Sequence, residues 1–413
     1  MRLPLSELAI LGGAPAFKRP LHVGQPNMGD RDRLMERLGG ILDRRWLTNN
    51  GPLVQEFEHI VAEFVGVRHC VAMSSGTVAL EIAIRAAGLR GEAIVSPFTF
   101  VATPHALQWQ QVTPVFCDVD PATHNLDPTR VEAMITERTT AIIGVHLWGR
   151  PCAVEALAAL AERRNLTLLF DAAHAFGCSH RGQMIGAFGK AEVLSFHATK
   201  FVNTFEGGAI VTDDDDFAAK ARLMRNFGFS DYDEVSYIGT NGKMTEMAAA
   251  MGLTSLEAID DFYAANRRNY EAYRCGLDGI EGIRLLAFDE SQCCNHHYVV
   301  IDVDESAALS RDELQRVLWA EKVLARRYFF PGCHRMEPYR TLYPDAGLVL
   351  AETERLTRRV LVLPTGAALG PDAVAVVTDL IGRAIASGPR LGRRLHALGP
   401  DDASLSPPDT ARR

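Results

Sequence analysis

The sequence predicts an α/β protein built around a mostly parallel sheet and followed by a smaller α+β domain. Short apolar segments alternate with helical patterns from about residue 68 to 217, as in parallel strands joined by helices. Beyond a long helical stretch at 244–277, strand signals become sparse and the polarity changes. Polar residues directly follow several predicted strands, at the edge where α/β sheets bind their ligands. These observations indicate two domains, with a ligand site in the first.

Seven apolar segments predict the strands of the sheet. They are short, rich in β-branched residues and bounded by polar or turn-forming residues. The segments are 69–73, 93–96, 114–119, 140–145, 166–170, 192–196 and 208–212. Two of the intervening stretches, 78–88 and 154–164, have the apolar spacing of helices that pack against such a sheet.

The second half of the chain predicts a separate, smaller unit. Strand signals occur at 283–287, 297–303 and 361–364, and helical patterns at 311–321 and 372–386. The last residues are polar and rich in proline, which is typical of disorder. We therefore predict an N-terminal segment with a large domain at 1–260, a small domain at 261–390 and a disordered tail at 391–413.

Composition and charge favour small-molecule chemistry. The 413 residues are 47% hydrophobic and 23% charged, as in ordinary globular proteins. The net charge of −8 gives no general attraction to nucleic acid or to an anionic membrane. No run of about 18 apolar residues predicts a membrane span, and the N-terminal apolar patch is too interrupted for a signal peptide. The eight cysteines show neither CxxC pairs nor zinc spacing, so we expect free thiols, no metal site and a cytoplasmic protein.

Lys200 stands in an unusual setting for a lysine. It is the only Lys or Arg between residues 191 and 217, and its neighbours are small or apolar. Desolvation there disfavours the ammonium form, as a nucleophilic amine requires. Taken alone, the pattern also fits a lysine that extends from a strand end into solvent.

Two further positions complete a pattern around Lys200. Ser75, Gly76 and Thr77 join a strand to a helix, where backbone N–H groups bind phosphate, although a simple helix cap has the same sequence. Asp171 follows the apolar segment 166–170 and needs a cationic partner, such as a protonated ring nitrogen, unless it caps a helix. A phosphate cradle, a carboxylate and a lone amine are together what pyridoxal phosphate requires.

With these residues in place, the sequence resembles the DegT/DnrJ/EryC1/StrS family of pyridoxal phosphate dependent nucleotide-sugar aminotransferases. The resemblance runs from about residue 11 to 385 and implies the aspartate aminotransferase-like fold, known as fold type I. It is carried by motifs in order along the chain: SSGTVAL (74–80), SPFTFVATPHAL (96–107), HLWGRP (146–151), DAAHAFG (171–177), SFHATK (195–200), EGGAIVT (206–212), GTNGKMTEMAAAMGL (239–253) and RRYFFPGCH (326–334).

The resemblance implies a role for each matching residue. Lys200 corresponds to the lysine that carries the cofactor covalently, and Asp171 to the partner of its ring nitrogen. The other implied cofactor contacts are Ser75, Gly76, Thr77 and Ser195 for the phosphate, His174 near the 3-oxygen, Phe100 stacked on the ring, and Asn241, which reaches the cofactor of a second subunit. The family therefore implies a homodimer with composite sites.

Contacts to the substrate are less sharply defined by the sequence. The candidates are Lys243, Arg326, Arg327, Tyr328 and His334, because an acidic chain needs local cations and the loop at 326–334 resembles a substrate loop of the family. Many relatives have an Arg-Met pair where this chain reads Gly242-Lys243-Met244. Each charged candidate also fits an ordinary surface residue.

The residues of these motifs resemble those of family members that aminate C4 of a dTDP-4-keto-6-deoxyhexose. We expect a ping-pong transamination in which L-glutamate is the amino donor, the cofactor alternates with pyridoxamine phosphate, and Lys200 moves the proton. The alternatives are amination at C3, a pyridoxamine phosphate dependent sugar dehydratase, and a non-catalytic binding protein. Dehydratases of this fold replace the lysine, which is intact here. A nicotinamide enzyme is disfavoured because no predicted strand is followed by GxGxxG.

Overall fold

A computed structural model describes residues 8–398 and contains a central sheet of seven strands. In chain order these are β1 (His69–Met73), β2 (Glu92–Val95), β3 (Thr113–Phe116), β4 (Thr139–Val145), β5 (Thr167–Asp171), β6 (Ala191–Ser195) and β7 (Gly208–Thr212). Their order across the sheet is β1-β7-β6-β5-β4-β2-β3. Only β7 runs antiparallel to its neighbours, so the predicted mostly parallel sheet is confirmed.

Helices cover both faces of this sheet. Along β1, Val71 and Met73 face one apolar core while Cys70 and Ala72 face another, because side chains alternate along a strand. The helices of this region are α1 (Arg31–Arg44), α2 (Pro52–Val65), α3 (Gly76–Ala86), α4 (Ala102–Trp109), α5 (Pro128–Ala133), α6 (Val154–Arg164) and α7 (Asp215–Arg225). The first core contains residues of α3, α4 and α7, and the other face is covered by α2, α5 and α6.

The long helical stretch forms two helices, and a second sheet follows. Helices α8 (Glu246–Glu257) and α9 (Ile259–Leu277) meet at Ala258, whose backbone is not helical. The second sheet is antiparallel, in the order β8 (Ile283–Leu285), β9 (Val299–Val303), β10 (Val360–Leu363). The remaining helices are α10 (Arg311–Ala320), α11 (Tyr339–Leu342), α12 (Ala351–Arg359), α13 (Pro371–Ala386) and α14 (Gly388–Leu398). Helices α9, α10 and α13 share the apolar core of this second unit.

The N-terminal segment packs with the second unit, although we grouped it with the large domain at 1–260. Leu8 and Ile10 lie in the C-terminal apolar core. Strand Leu21–His22 pairs in parallel with strand Val323–Leu324. The carboxylate of Glu321, which is 1% exposed, accepts hydrogen bonds from two backbone N–H groups of this segment. We call residues 8–26 the N-terminal arm.

The predicted disorder from residue 391 is wrong for its first part. Residues 391–398 belong to α14, because Leu391 and Leu395 fall one turn apart and are buried in the C-terminal core. The proline-rich remainder, 399–413, lies outside the described residues.

Candidate active site

A cavity of about 590 Å³ lies at the carboxyl ends of the central strands. The last residues of β4, β5 and β6 (Val145, Asp171 and Ser195) open into it. The start of α3 forms one side and the arm residues 22–26 another. The C-terminal unit adds Tyr298, Arg326, Tyr328 and Phe329. The cavity is therefore enclosed by three separate parts of the chain.

Lys200 brings a lone amine into this cavity. Its side chain follows β6, and its Nζ atom donates to the Tyr298 hydroxyl at 3.3 Å. Burial lowers the pKa of Lys200 to about 8, and the charge of Asp171 opposes that shift. No carboxylate among residues 8–398 lies within ion-pair distance of the amine. A substantial neutral fraction near physiological pH gives the amine the reactivity of a nucleophile and a base.

Asp171 faces the same cavity from the end of β5. Its Oδ2 atom accepts from the Thr103 hydroxyl at 2.8 Å, and Oδ1 accepts from the Ala173 N–H at 3.1 Å. Burial raises the pKa of Asp171, and these two hydrogen bonds and Lys200 oppose the rise. The carboxylate is thus held in a fixed orientation in a desolvated site, where a cationic ring nitrogen would be strongly favoured.

His174 is a neutral donor in the wall of the cavity. Its Nδ1 atom accepts from the Trp148 backbone N–H at 3.3 Å, which places the ring proton on Nε2. Burial lowers the pKa of His174 well below its usual range, and Lys200 adds to that effect. The ring packs against Tyr298, with ring centroids 4.2 Å apart. Such a ring can donate to an oxygen atom without bringing a charge.

The start of α3 forms an anion cradle. Ser75 is its N-cap, and the Ser75 side chain accepts from the Val78 N–H at 3.2 Å. The N–H groups of Gly76 and Thr77 lie in the first turn and therefore have no intrahelical partners. A Cβ atom at Gly76 would lie 3.0 Å from the Ser195 Cβ, and one at Gly208 only 2.5 Å from the Gly76 nitrogen. These glycines allow β6, β7 and α3 to approach closely, so the hydroxyl of Ser195 lies beside the helix terminus.

The structure brings some of the remaining predicted contacts to the cavity and leaves others away from it. Phe100 stands at the mouth of the cavity and is 60% exposed. Arg326 and Tyr328 line the cavity, with the guanidinium 5.3 Å from the centre of the tyrosine ring. His334 is not brought to the cavity, because its Nε2 atom pairs with Glu354 at 2.9 Å and the side chain is buried there.

Asn241 and Lys243 also lie away from the cavity of their own chain. Asn241 is exposed and bridges by its backbone to Asn226. The Nζ atom of Lys243 contacts the Asn226 side chain at 3.1 Å and lies 4.7 Å from the centre of the Phe227 ring. Exposed apolar side chains surround this segment: Phe227, Phe229, Tyr232, Val235 and Ile238.

Several functional contacts were missed from the sequence. Thr103 lies within the motif at 96–107, and that motif is its signal in the sequence. Tyr298 and His297 had no such signal; His297 donates to the Thr199 carbonyl at 2.8 Å and thereby supports the loop that carries Lys200. The arm residues 22–26 could not be assigned to the cavity from local pattern alone.

Residues 8–398 contain neither a membrane-spanning helix nor a metal-binding cluster. In that part of the chain no helix is both long and apolar enough to cross a bilayer. Nor does it hold a group of three or more His, Cys, Asp or Glu side chains arranged to bind a metal ion.

The chain is similar in sequence and fold to several known proteins. The model of the DegT/DnrJ/EryC1/StrS aminotransferase family matches residues 29–381. The dTDP-4-amino-4,6-dideoxy-D-glucose transaminase of Shigella dysenteriae is 38% identical over 88% of this chain and 99% of its own. The GDP-perosamine synthase of Caulobacter vibrioides is 36% identical over 76% of this chain and 85% of its own. The crystal structure of DesI with its TDP-sugar product is 51% identical, with a TM-score of 0.90 over 95% of this chain and 99% of that one.

Proposed function

Because the chain belongs to the DegT/DnrJ/EryC1/StrS aminotransferase family, we propose that it uses pyridoxal phosphate to aminate C4 of dTDP-4-keto-6-deoxyglucose, with L-glutamate as amino donor. The observation that carries the proposal is the meeting of the Lys200 amine, the Asp171 carboxylate and the start of α3 in one cavity. The Shigella dysenteriae relative, named for the corresponding 4-amino sugar, supports the choice of C4.

The residues present fit the cofactor. Lys200 would hold its aldehyde, because the amine has no carboxylate partner in the described part of the chain and burial lowers its pKa to about 8. The N–H groups of Gly76 and Thr77, with Ser195, would hold the phosphate in a cradle that a Cβ atom at position 76 would obstruct. Asp171 would pair with the ring nitrogen, and His174 would donate to the 3-oxygen. When bound, the cofactor supplies an electron sink for the electron pair released at the substrate carbon.

The chain's own residues then supply binding and proton transfer. The neutral amine of Lys200 takes a proton from the donor's α-carbon and returns one to the sugar carbon, with Tyr298 orienting it through the 3.3 Å hydrogen bond. Asp171 stays ionised when it faces a cation and keeps that cation protonated. Trp148, Tyr298 and Phe329 pack together beside His174 and exclude water from that wall.

Arg326 is the proposed contact for the nucleotide phosphates. It lines the cavity beside Tyr328, and within residues 8–398 its guanidinium has no carboxylate partner. Arg327 is less suited, because it pairs with Asp312 at 3.1 Å and stacks on Phe330. A free guanidinium beside an aromatic ring is well matched to a phosphate and a base.

The proposed assembly is a homodimer in which each subunit completes the other's site. Asn241 and Lys243 lie outside their own cavity and within an exposed apolar surface. Burial of that surface against a second copy is favourable. It would also bring two polar side chains toward the partner's cofactor.

The test is direct assay of the holoenzyme with glutamate and matched sugars. We expect dTDP-4-keto-6-deoxyglucose to be converted to its 4-amino product, identified by mass and NMR. The 3-keto isomer and the GDP-linked 4-keto sugar serve as controls for position and nucleotide. Turnover of only the 3-keto isomer would reject the C4 assignment, and preference for the GDP sugar would reject dTDP.

A further inference from the structure

Three cysteines meet behind the wall of the cavity. Cys178 is buried in the loop after β5, whereas Cys293 is exposed and Cys294 half-buried in the segment before β9. The Asn295 N–H donates to the Cys178 sulfur at 3.5 Å, and the His296 N–H donates to the Cys294 sulfur at 3.4 Å. The Ser179 N–H donates to the Cys293 carbonyl at 2.9 Å, and the Cys293 N–H donates to the Ser179 hydroxyl at 2.8 Å. These bonds hold the two segments side by side, so Cys178 and Cys294 are neighbours although they are distant in sequence.

The two thiols of this contact are chemically unlike. Burial raises the pKa of Cys178 well above its usual range, so Cys178 stays protonated. For Cys294 burial acts in the same direction, but the interactions with Cys178 and His296 outweigh it and lower its pKa below the usual range of a thiol. The other ionisable groups that face the pair are Arg150, Tyr263, Tyr270 and Cys293. A thiolate beside a protonated thiol and an imidazole is the arrangement of a reactive cysteine and its resolving partner.

Asn295 connects the two cysteines to the loop after β5, which carries His174. Its side-chain amide donates to the carbonyl oxygens of His174 and Phe176, both at 3.0 Å. Its Oδ1 atom accepts from the His297 N–H at 3.0 Å, and His297 in turn supports the Lys200 loop. A change at the sulfurs on either side of Asn295 is thus transmitted to His174 and to the lysine loop.

We propose that Cys294 is a site of reversible oxidation by hydroperoxides, with Cys178 as the resolving thiol. The Cys294 thiolate attacks the peroxide, its sulfur gains one oxygen, and the second oxygen leaves as hydroxide, which takes a proton to form water. The Cys178 thiol then attacks the sulfenic acid, an S–S bond forms and a second water leaves. In total two thiols lose two electrons and one hydrogen peroxide becomes two waters.

Formation of the disulfide brings the two sulfurs to a distance of about 2.05 Å. It also displaces the backbone of Asn295, whose N–H group donates to the Cys178 sulfur. We therefore expect amino transfer by the oxidised enzyme to be slower by several-fold, with full recovery in dithiothreitol. This consequence rests on the proposed function, whereas the oxidation site does not.

The test uses the full-length holoenzyme, reduced, desalted and titrated with hydrogen peroxide. We expect each chain to lose about two hydrogen masses, with the disulfide mapped to Cys178 and Cys294 by fragmentation. Cys178→Ser should stop at a sulfenic acid on Cys294 that dimedone traps. Cys293→Ser and Cys275→Ser remove exposed thiols outside the pair and should oxidise like the parent protein.

Alkylation of the parent protein tests the proposal without relying on the folding of any variant. In the parent holoenzyme at pH 6, iodoacetamide should alkylate Cys294 before the more exposed Cys293, because the thiolate is the nucleophile. First labelling of Cys293, or a disulfide that excludes Cys178, would overturn the proposal. An oxidised enzyme with the mapped disulfide and undiminished amino transfer would overturn the link to His174 alone.

Discussion

The ionisable residues of the cavity are tuned mainly by burial. Burial lowers the pKa values of Lys200 and His174 and raises that of Asp171, so each is driven toward its neutral form. The mutual attraction of Lys200 and Asp171 opposes burial at both groups. The amine is thus kept reactive while the carboxylate remains available to a cation.

Replacement of Asp171 by Asn should leave the cofactor bound but nearly inert. Two unit charges about 4 Å apart attract by about 4 kcal/mol at an effective dielectric near 20, which corresponds to roughly a thousandfold in kcat. Thr103→Val removes only the 2.8 Å hydrogen bond to Oδ2 and should cost about tenfold. Steady-state kcat with absorbance of the bound cofactor tests both, and an Asp171→Asn enzyme within twofold of the parent would refute the role.

Lys200 should titrate far below an ordinary lysine when the cofactor is absent. Its amine is protonated below its pKa of about 8 and neutral above it. Competitive acetylation followed by peptide mass analysis should therefore show Lys200 labelling with a midpoint near pH 8, with exposed Lys220 as internal reference. Asp171→Asn should lower the midpoint further, because the aspartate charge favours the ammonium form. An unchanged or raised midpoint in that variant would contradict the coupling.

At the scale of elements, the sequence predicted the features that depend on residues close together along the chain. All seven strands of the central sheet were predicted, since buried strands read as short apolar runs. The third strand ends at Phe116 and not at 119, because Asp118 turns away to accept from the N–H groups of Glu352 and Thr353. Residues at strand ends, such as Lys200 and Asp171, were found by the same logic, whereas Tyr298 follows from tertiary packing alone.

A side chain at position 208 should destabilise the protein, because β7 approaches α3 closely there. A Cβ atom at Gly208 would lie 2.5 Å from the backbone of Gly76, so Gly208→Ala must push the strand from the phosphate cradle. We expect a loss of about 1–3 kcal/mol in the free energy of unfolding and weaker cofactor binding, measured by denaturation and by cofactor titration.

Gly39→Ala is the matched control for this change. Its Cβ atom would meet no atom within 4 Å and lies in α1, so we expect unchanged or slightly higher stability. Equal effects of the two substitutions would show that packing against Gly76 is not the reason for a glycine at 208.

At the scale of the whole molecule, the cavity depends on parts that no local pattern connects. The N-terminal arm, the central sheet and the C-terminal unit each contribute walls. The proposed second subunit adds Asn241, which does not line the cavity of its own chain. Sequence periodicity reports on neighbours within an element, so these long-range and intersubunit contacts could be inferred only from family resemblance.

Mixed dimers provide a test of the composite site. Lys200→Ala and Asn241→Ala subunits should each be inactive alone, yet a mixture after subunit exchange should regain about a quarter of the parent activity, since half of the dimers carry one intact site. Lys200→Ala mixed with Asp171→Asn is the matched control, because both residues belong to the same chain's cavity and no intact site can form. Recovered activity in the control mixture, or no recovered activity in the test mixture, would exclude the proposed composite site.

The pairing of the arm with strand Val323–Leu324 also dictates when the cavity can mature during synthesis. Residues 21–22 leave the ribosome about three hundred positions before their partners do. The central sheet can form in the meantime, but its ligand pocket lacks one side until translation is nearly finished. The proposed coenzyme would therefore meet the complete pocket only after residues 323–324 have been synthesised.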